Sequence, residues 1–260
     1  MKKRTILTTV IAFLLLAAVI AAGMNAVFTV TYVNARFVTY TEEGERAAQE
    51  LKEELNGYLG RSTTFLDLEE VRATAQAYPR FMVVSVEKQY PASVVVEVQE
   101  RRAAFALPGA DGYDIFDGEG VRIGSSASAD GYILLAGDFS FSAANGALAG
   151  TYSEQLLAMY AAFAELLGEP RANVLSVSLQ DNSSTGTLAF DRFRIAMREG
   201  VEIVILEPSV RIEDKARAAV QCYLALDEGD RVRGTINVVE QNTGTVVANW
   251  SSSSATAGQT

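Results

Sequence analysis

Four carboxylates, Asp114, Asp117, Glu119 and Asp191, are the side chains of this 260-residue chain whose type and position could do chemistry. Two carboxylates held in one cleft act as general acid and as nucleophile or base in glycoside hydrolysis. Nothing in the spacing of these four requires such a cleft. Asp117-Gly118-Glu119-Gly120 invites comparison with a calcium loop. It lacks the repeated oxygen ligands and terminal glutamate of an EF-hand, and it reads as a hairpin turn. Histidine is absent and Cys222 is the single cysteine. Those counts exclude Ser-His-Asp and Cys-His nucleophiles, an internal disulfide and a zinc site built on His or several Cys. Cys222 reads as a small buried hydrophobe. No catalytic residue, metal ligand or cofactor site is assigned.

The elements that would have to position any site come in a definite order. Lys2, Lys3 and Arg4 open the chain, and the next charged residue is Arg36. Residues 5–28 are an apolar run of the ~20 residues that span a bilayer, and the basic start places the N-terminus inside. A cleaved signal peptide is the competing reading, with Ala21-Ala22-Gly23 as a small-residue cleavage site. The remainder carries 19 of the 22 basic residues against all 32 acidic ones, a net −13 that opposes binding to nucleic acid.

Past the apolar run, a strand is expected at 28–38, with Phe28, Val30 and Tyr32 on one face. An amphipathic helix follows at 45–58 on Ala47, Leu51, Leu55 and Tyr58. Asp67 with Glu70 reads as a capping box opening a second helix to Ala77. Strands at 81–88 and 92–100 then flank Gln89-Tyr90-Pro91, and Val94, Val96 and Val98 alternate as in a half-buried strand. Downstream, strands are expected at 113–116, 121–123, 133–135, 174–179, 185–190, 192–197, 202–206, 235–239 and 245–250. Helices are expected at 153–167 and 213–226, and residues 139–150 read as loop.

The stretch from Pro79 to Arg101 carries a resemblance. Pro79, Val83 or Val84, Val86, Lys88, Pro91, Val98, Glu100 and Arg101 follow the order of the FtsQ-type POTRA signature. Asp117-Gly118-Glu119-Gly120 and residues 236–250 resemble later hairpins of the FtsQ/DivIB cell-division family. The resemblance implies an α+β protein with a cytoplasmic tail 1–4, a single N-terminal transmembrane helix 5–28 and a POTRA (β-α-α-β-β) domain at 29–102. A mixed β domain with two helices at 103–250 and a disordered tail at 251–260 complete it. It also implies a bacterial source, in which the sequons at Asn182 and Asn249 carry no glycan. The signature residues are read as structural, Glu100-Arg101 as a charge pair fixing the domain's exit.

By the same resemblance the function is that of a non-enzymatic, bitopic divisome scaffold at the septum. Its partners would be FtsB/DivIC-type and FtsL-type bitopic proteins and the septal peptidoglycan synthase complex, with no small-molecule substrate. The partner site is expected on the last strand, Thr245, Val246, Val247, Ala248, Asn249 and Trp250. An open edge there would accept a partner strand, with alternate side chains such as Val247 and Trp250 adding contact. A simpler reading has Trp250 covering the end of the core. Two other functions stay open: a POTRA-containing envelope-assembly chaperone, and an anchored carboxylate-dependent cell-wall hydrolase.

Overall fold

The computed structural model describes residues 11–16, 19, 23, 27–137, 139–142, 146–180 and 190–252. The expected tail at 1–4, most of the apolar run, nearly all of the strand at 185–190, the Asn182 sequon and the tail beyond Ser252 lie outside these residues. Residues 11–16 are helical with every side chain exposed. Among the described residues, no helix is long and apolar enough to cross a membrane.

The chain divides into two compact units, one ending at Arg101 and the other starting at Arg102. The first runs β1 (Tyr32–Val38), α1 (Glu42–Leu55), a 3-10 turn (Asn56–Tyr58), α2 (Leu68–Gln76), β2 (Phe81–Gln89) and β3 (Ser93–Glu100). This is the expected β-α-α-β-β order. Its sheet has the order β1-β3-β2, with β1 parallel and β2 antiparallel to β3. A parallel neighbour requires a crossover, which the two helices supply.

Alternation in β3 buries Val94, Val96 and Val98 under Leu51, Leu55, Val71 and Ala75. The first strand is a correction. Pairing with β3 starts at Tyr32, Val30 and Val33 are buried, and Tyr32 is exposed. Ahead of the strand, residues 29–31 instead bond loop 61–62 and Ala92, which rotates Val30 inward. At α2, Asp67 caps as expected, its Oδ1 accepting from Glu69 N at 2.9 Å. Glu70 pairs with Arg61 at 2.7 Å and so does not close the capping box.

The second unit holds β4 (Ala103–Gly109), β5 (Gly112–Asp117), β6 (Arg122–Ser126), β7 (Ile133–Ala136), β8 (Phe139–Ser142) and β9 (Ala147–Gly150). It continues with α3 (Ser153–Leu167), α4 (Pro170–Asn173), β10 (Val174–Gln180), β11 (Arg192–Met197) and β12 (Glu202–Leu206). Last come α5 (Ile212–Ala225), α6 (Glu228–Arg231), β13 (Thr235–Glu240) and β14 (Val246–Ser251). Nine strands form one sheet in the order β14-β13-β12-β11-β10-β7-β4-β5-β6.

Helices α3 and α5 cover one face, setting Phe163 and Tyr223 against a core that includes Phe105, Phe116, Phe193, Ile203 and Ile236. Strand β4 was not expected. Ala104, Phe105, Ala106 and Leu107 are all buried because both faces of β4 are covered, Ala106 joining Ile115 and Ile123 opposite the helices. The expected loop at 139–150 is instead the hairpin β8–β9, anchored by Phe139 and Leu148 in the core.

Candidate partner-binding edge

The last strand, β14, ends the nine-stranded sheet and pairs antiparallel with β13 alone, from Glu240↔Val246 to Thr235↔Ser251. The turn fixes which backbone groups stay free. Gln241 N donates to Thr245 O at 2.9 Å, so that pair bonds across the hairpin. Alternation then directs the amides of Val247 and Asn249 inward to β13, and those of Val246, Ala248 and Trp250 outward. The far side of β13 agrees, since Glu202 N bonds Gly234 O at 3.0 Å and thereby turns Ile236 toward β12.

At the outer rim the Trp250 amide meets the sulfur of Cys222, whose titration burial pushes up and this bond draws down. Among the described residues, that leaves Val246 and Ala248 as the open part of the rim. The opposite edge of the sheet is less free, because Arg122 N bonds Gly146 O and Val121 bridges Ala147 at the start of β6.

Side chains along β14 divide between faces, and here the expectation needs correcting. Val247 and Trp250 are three residues apart and point to opposite faces. Val246, Ala248 and Trp250 pack against the core on the helix side. The Trp250 indole donates to Arg233 O at 3.3 Å, so it closes the core as well as flanking the edge. Thr245 precedes the strand and is exposed, as is Asn249.

The hairpin is tied to the entry of α5. The Arg211 guanidinium donates to Gly244 O, pairs with Asp214 at 2.7 Å and reaches Glu240 at 3.6 Å. Beneath it Lys215 is fully buried, its Nζ donating to Leu206 O at 2.8 Å and Glu207 O at 2.9 Å. Burial lowers the Lys215 titration, against the pull of Glu207. Glu207 and Arg211 both adopt left-handed backbone, φ 49° and 50°, and the lysine clasps the turn between them.

Three of the four candidate carboxylates have local partners. Asp114 pairs with Arg122 at 2.6 Å. Asp117 accepts from Glu119 N at 3.0 Å and Val121 N at 2.8 Å, closing its own turn. Asp191 accepts from the Tyr152 hydroxyl at 2.6 Å. Among the described residues no group of three or more His, Cys, Asp or Glu is placed to hold a metal ion.

In the first unit the Glu100 carboxylate is 2% exposed and lies against the start of α1. It accepts from Tyr40 N, from Thr41 N at 3.0 Å and from Thr41 Oγ1 at 2.5 Å, with Arg80 at 3.5 Å. Thr41 is the N-cap of α1 and its Oγ1 accepts from Gly44 N at 2.9 Å, so carboxylate and cap form one relay. Burial pushes the Glu100 titration up; the Thr41 and Tyr40 hydrogen bonds and Arg80 outweigh it and hold the group below its ordinary 4.5. Gly44 makes room, since a Cβ there would overlap the Glu100 carboxylate.

Residues 46–101, which include Glu100 and Arg80 of this clasp, match the family model of the POTRA domain, FtsQ-type. The first unit carries an FtsQ-type POTRA domain. That match supports the resemblance to the FtsQ/DivIB family and points to a division-related role in general. No curated protein matches the chain.

The signature residues take distinct places in the POTRA domain. Val86 and Val98 are in the core, and Pro79 lies in the exposed turn before β2. Lys88 Nζ donates to Thr64 O at 3.0 Å, holding the 62–66 turn. Pro91 follows a cis bond in the exposed β2–β3 turn. Arg101 N donates to Arg80 O at 2.8 Å. The Glu100 carboxylate faces Arg80 at 3.5 Å. Thr41, Gly44 and Lys215 were not singled out in the sequence. Only Thr41 carried a signal, as a cap residue ahead of Glu42 and Glu43.

Proposed function

We propose that the chain is a non-enzymatic, membrane-anchored scaffold of the bacterial divisome that takes up a partner strand along β14. The partners are small bitopic division proteins of the FtsB/DivIC and FtsL types, linked through this protein to septal peptidoglycan synthesis. The single observation that carries the reading is an outer rim with Val246 and Ala248 unpaired among the described residues, on a hairpin braced by Arg211 and Lys215. Unpaired edge amides and carbonyls supply affinity for an extended segment, and flanking side chains supply selection. The FtsQ-type POTRA match supports the division role. The anchor reading rests on the apolar run 5–28 and the basic start.

The test is capture by the full chain from detergent-solubilised host membranes, comparing wild type with Ala248→Pro. Proline at 248 removes an outward N–H and leaves every inward ladder bond in place. Val247→Pro would instead break the hairpin. Recovery of small bitopic division proteins by wild type alone, with both proteins melting at the same temperature, is expected. Equal recovery would move the partner surface elsewhere. Recovery of a barrel-assembly complex would favour the envelope-assembly function.

A further inference from the structure

We infer that the end of the POTRA domain around Phe28 is a lipid-contacting surface, with Phe65, Leu59 and Tyr90 resting in the headgroup–acyl boundary. The inference rests on the reading of residues 5–28 as a membrane anchor, and it concerns side chains outside that segment. Phe65 is 89% exposed, Tyr90 58% and Leu59 44%. The core of the unit uses none of the three.

Backbone bonds and one ring contact bring all three to the place where the chain leaves the apolar run. Thr63 N donates to Phe28 O at 2.7 Å, Val30 N to Arg61 O at 2.8 Å and Gly60 N to Val30 O at 2.9 Å. Segment 59–65 is therefore stitched to residues 28–30. The Tyr90 ring lies edge-on to Phe28 at 6.1 Å, which adds the β2–β3 turn to the same end.

Since the apolar run ends at Phe28, a bilayer holding it lies within a residue or two of this end. Amphipathic aromatic rings with a basic rim are the composition that settles at a headgroup layer. Here the rim is Arg61, shared with Glu70 and lying over the Tyr58 ring, and Lys88, next to Glu87. With −13 net charge beyond Arg4, attraction to anionic lipid is opposed, so contact depends on apolar insertion. It should therefore persist at high salt.

The experiment uses the full chain in phosphatidylcholine nanodiscs, with Trp250→Phe removing the natural tryptophan. One tryptophan is then introduced as Phe65→Trp, and in a parallel protein as Phe13→Trp, against lipids bearing a nitroxide near the headgroup or near the chain end. Both sites are exposed, so neither change enters the core, and Tyr90→Trp is a second probe of the same surface. The expected result is strong quenching of the residue-65 probe by the shallow nitroxide, unchanged by salt, and of the residue-13 probe by the deep one. Quenching at 13 with none at 65 or 90 would overturn the contact and leave the anchor standing. No quenching at 13 would overturn the anchor and the contact with it.

Discussion

Replacing Glu100 by glutamine keeps the shape of the buried side chain and removes its charge. Its carboxylate receives Tyr40 N–H, Thr41 N–H and the Thr41 hydroxyl, and faces Arg80 at 3.5 Å. Glutamine offers one acceptor to these donors and turns an NH₂ toward the others. Hydrogen bonds to a charged group contribute about 1.5–3 kcal/mol each, and an unsatisfied buried donor costs about 1–3 kcal/mol. Tyr40 is 46% exposed, so water recovers part of the loss. A net destabilisation of about 2 kcal/mol follows, or about 8–16 °C in a domain of this size.

Circular dichroism melting reads the POTRA transition, while the single tryptophan, Trp250, reports the second unit and should not move. The pH dependence has a definite sign. Glu100 titrates below 4.5 in the folded state, so its contribution is full above the unfolded value and is lost as pH falls through the folded one. The gap between wild type and Glu100→Gln should be widest near neutrality, narrow as pH falls below the unfolded glutamate value and close as it passes the lower folded one. Identical melting at neutral pH, or a gap that persists unchanged in acid, would refute the clasp.

Gly44→Ala should destabilise the POTRA domain by about 1–3 kcal/mol, because its Cβ overlaps the Glu100 carboxylate. In the Glu100→Ala background the same change should be milder, and a double-mutant melting cycle reads the coupling. Lys215→Met should destabilise the second unit by about 2–4 kcal/mol, because the Leu206 and Glu207 carbonyls lose their donor. The loss is read as a lowered Trp250 fluorescence melt with the POTRA transition unchanged.

The sequence was most legible where one face of an element is buried and the other wet. Val94, Val96 and Val98 announce β3, and Leu51 with Leu55 announces α1, because alternation and helical spacing follow from one-sided burial. Ala103–Gly109 lacked that signal because both its faces are covered, and an alanine-rich run without alternation reads as an exit from the domain. Phe139 and Leu148 belong to strands of four residues each, too short for a period to declare itself. At the edge, residue identities from Thr245 to Trp250 were legible; their facing was not. Which amides point outward depends on the register set at Gln241–Thr245, a property of the turn. The Glu100 relay joins positions about sixty residues apart and leaves no local pattern.

Amide hydrogen exchange along β14, resolved residue by residue, tests strand uptake most directly. The full chain would be measured alone and with the proposed partners, bitopic proteins of the FtsB/DivIC and FtsL types. Val247 and Asn249 should already be protected in the free protein by their bonds to β13. Val246 and Ala248 should exchange fast alone and slow sharply with partner. Unchanged exchange at Val246 and Ala248 in a complex that has formed would contradict the account.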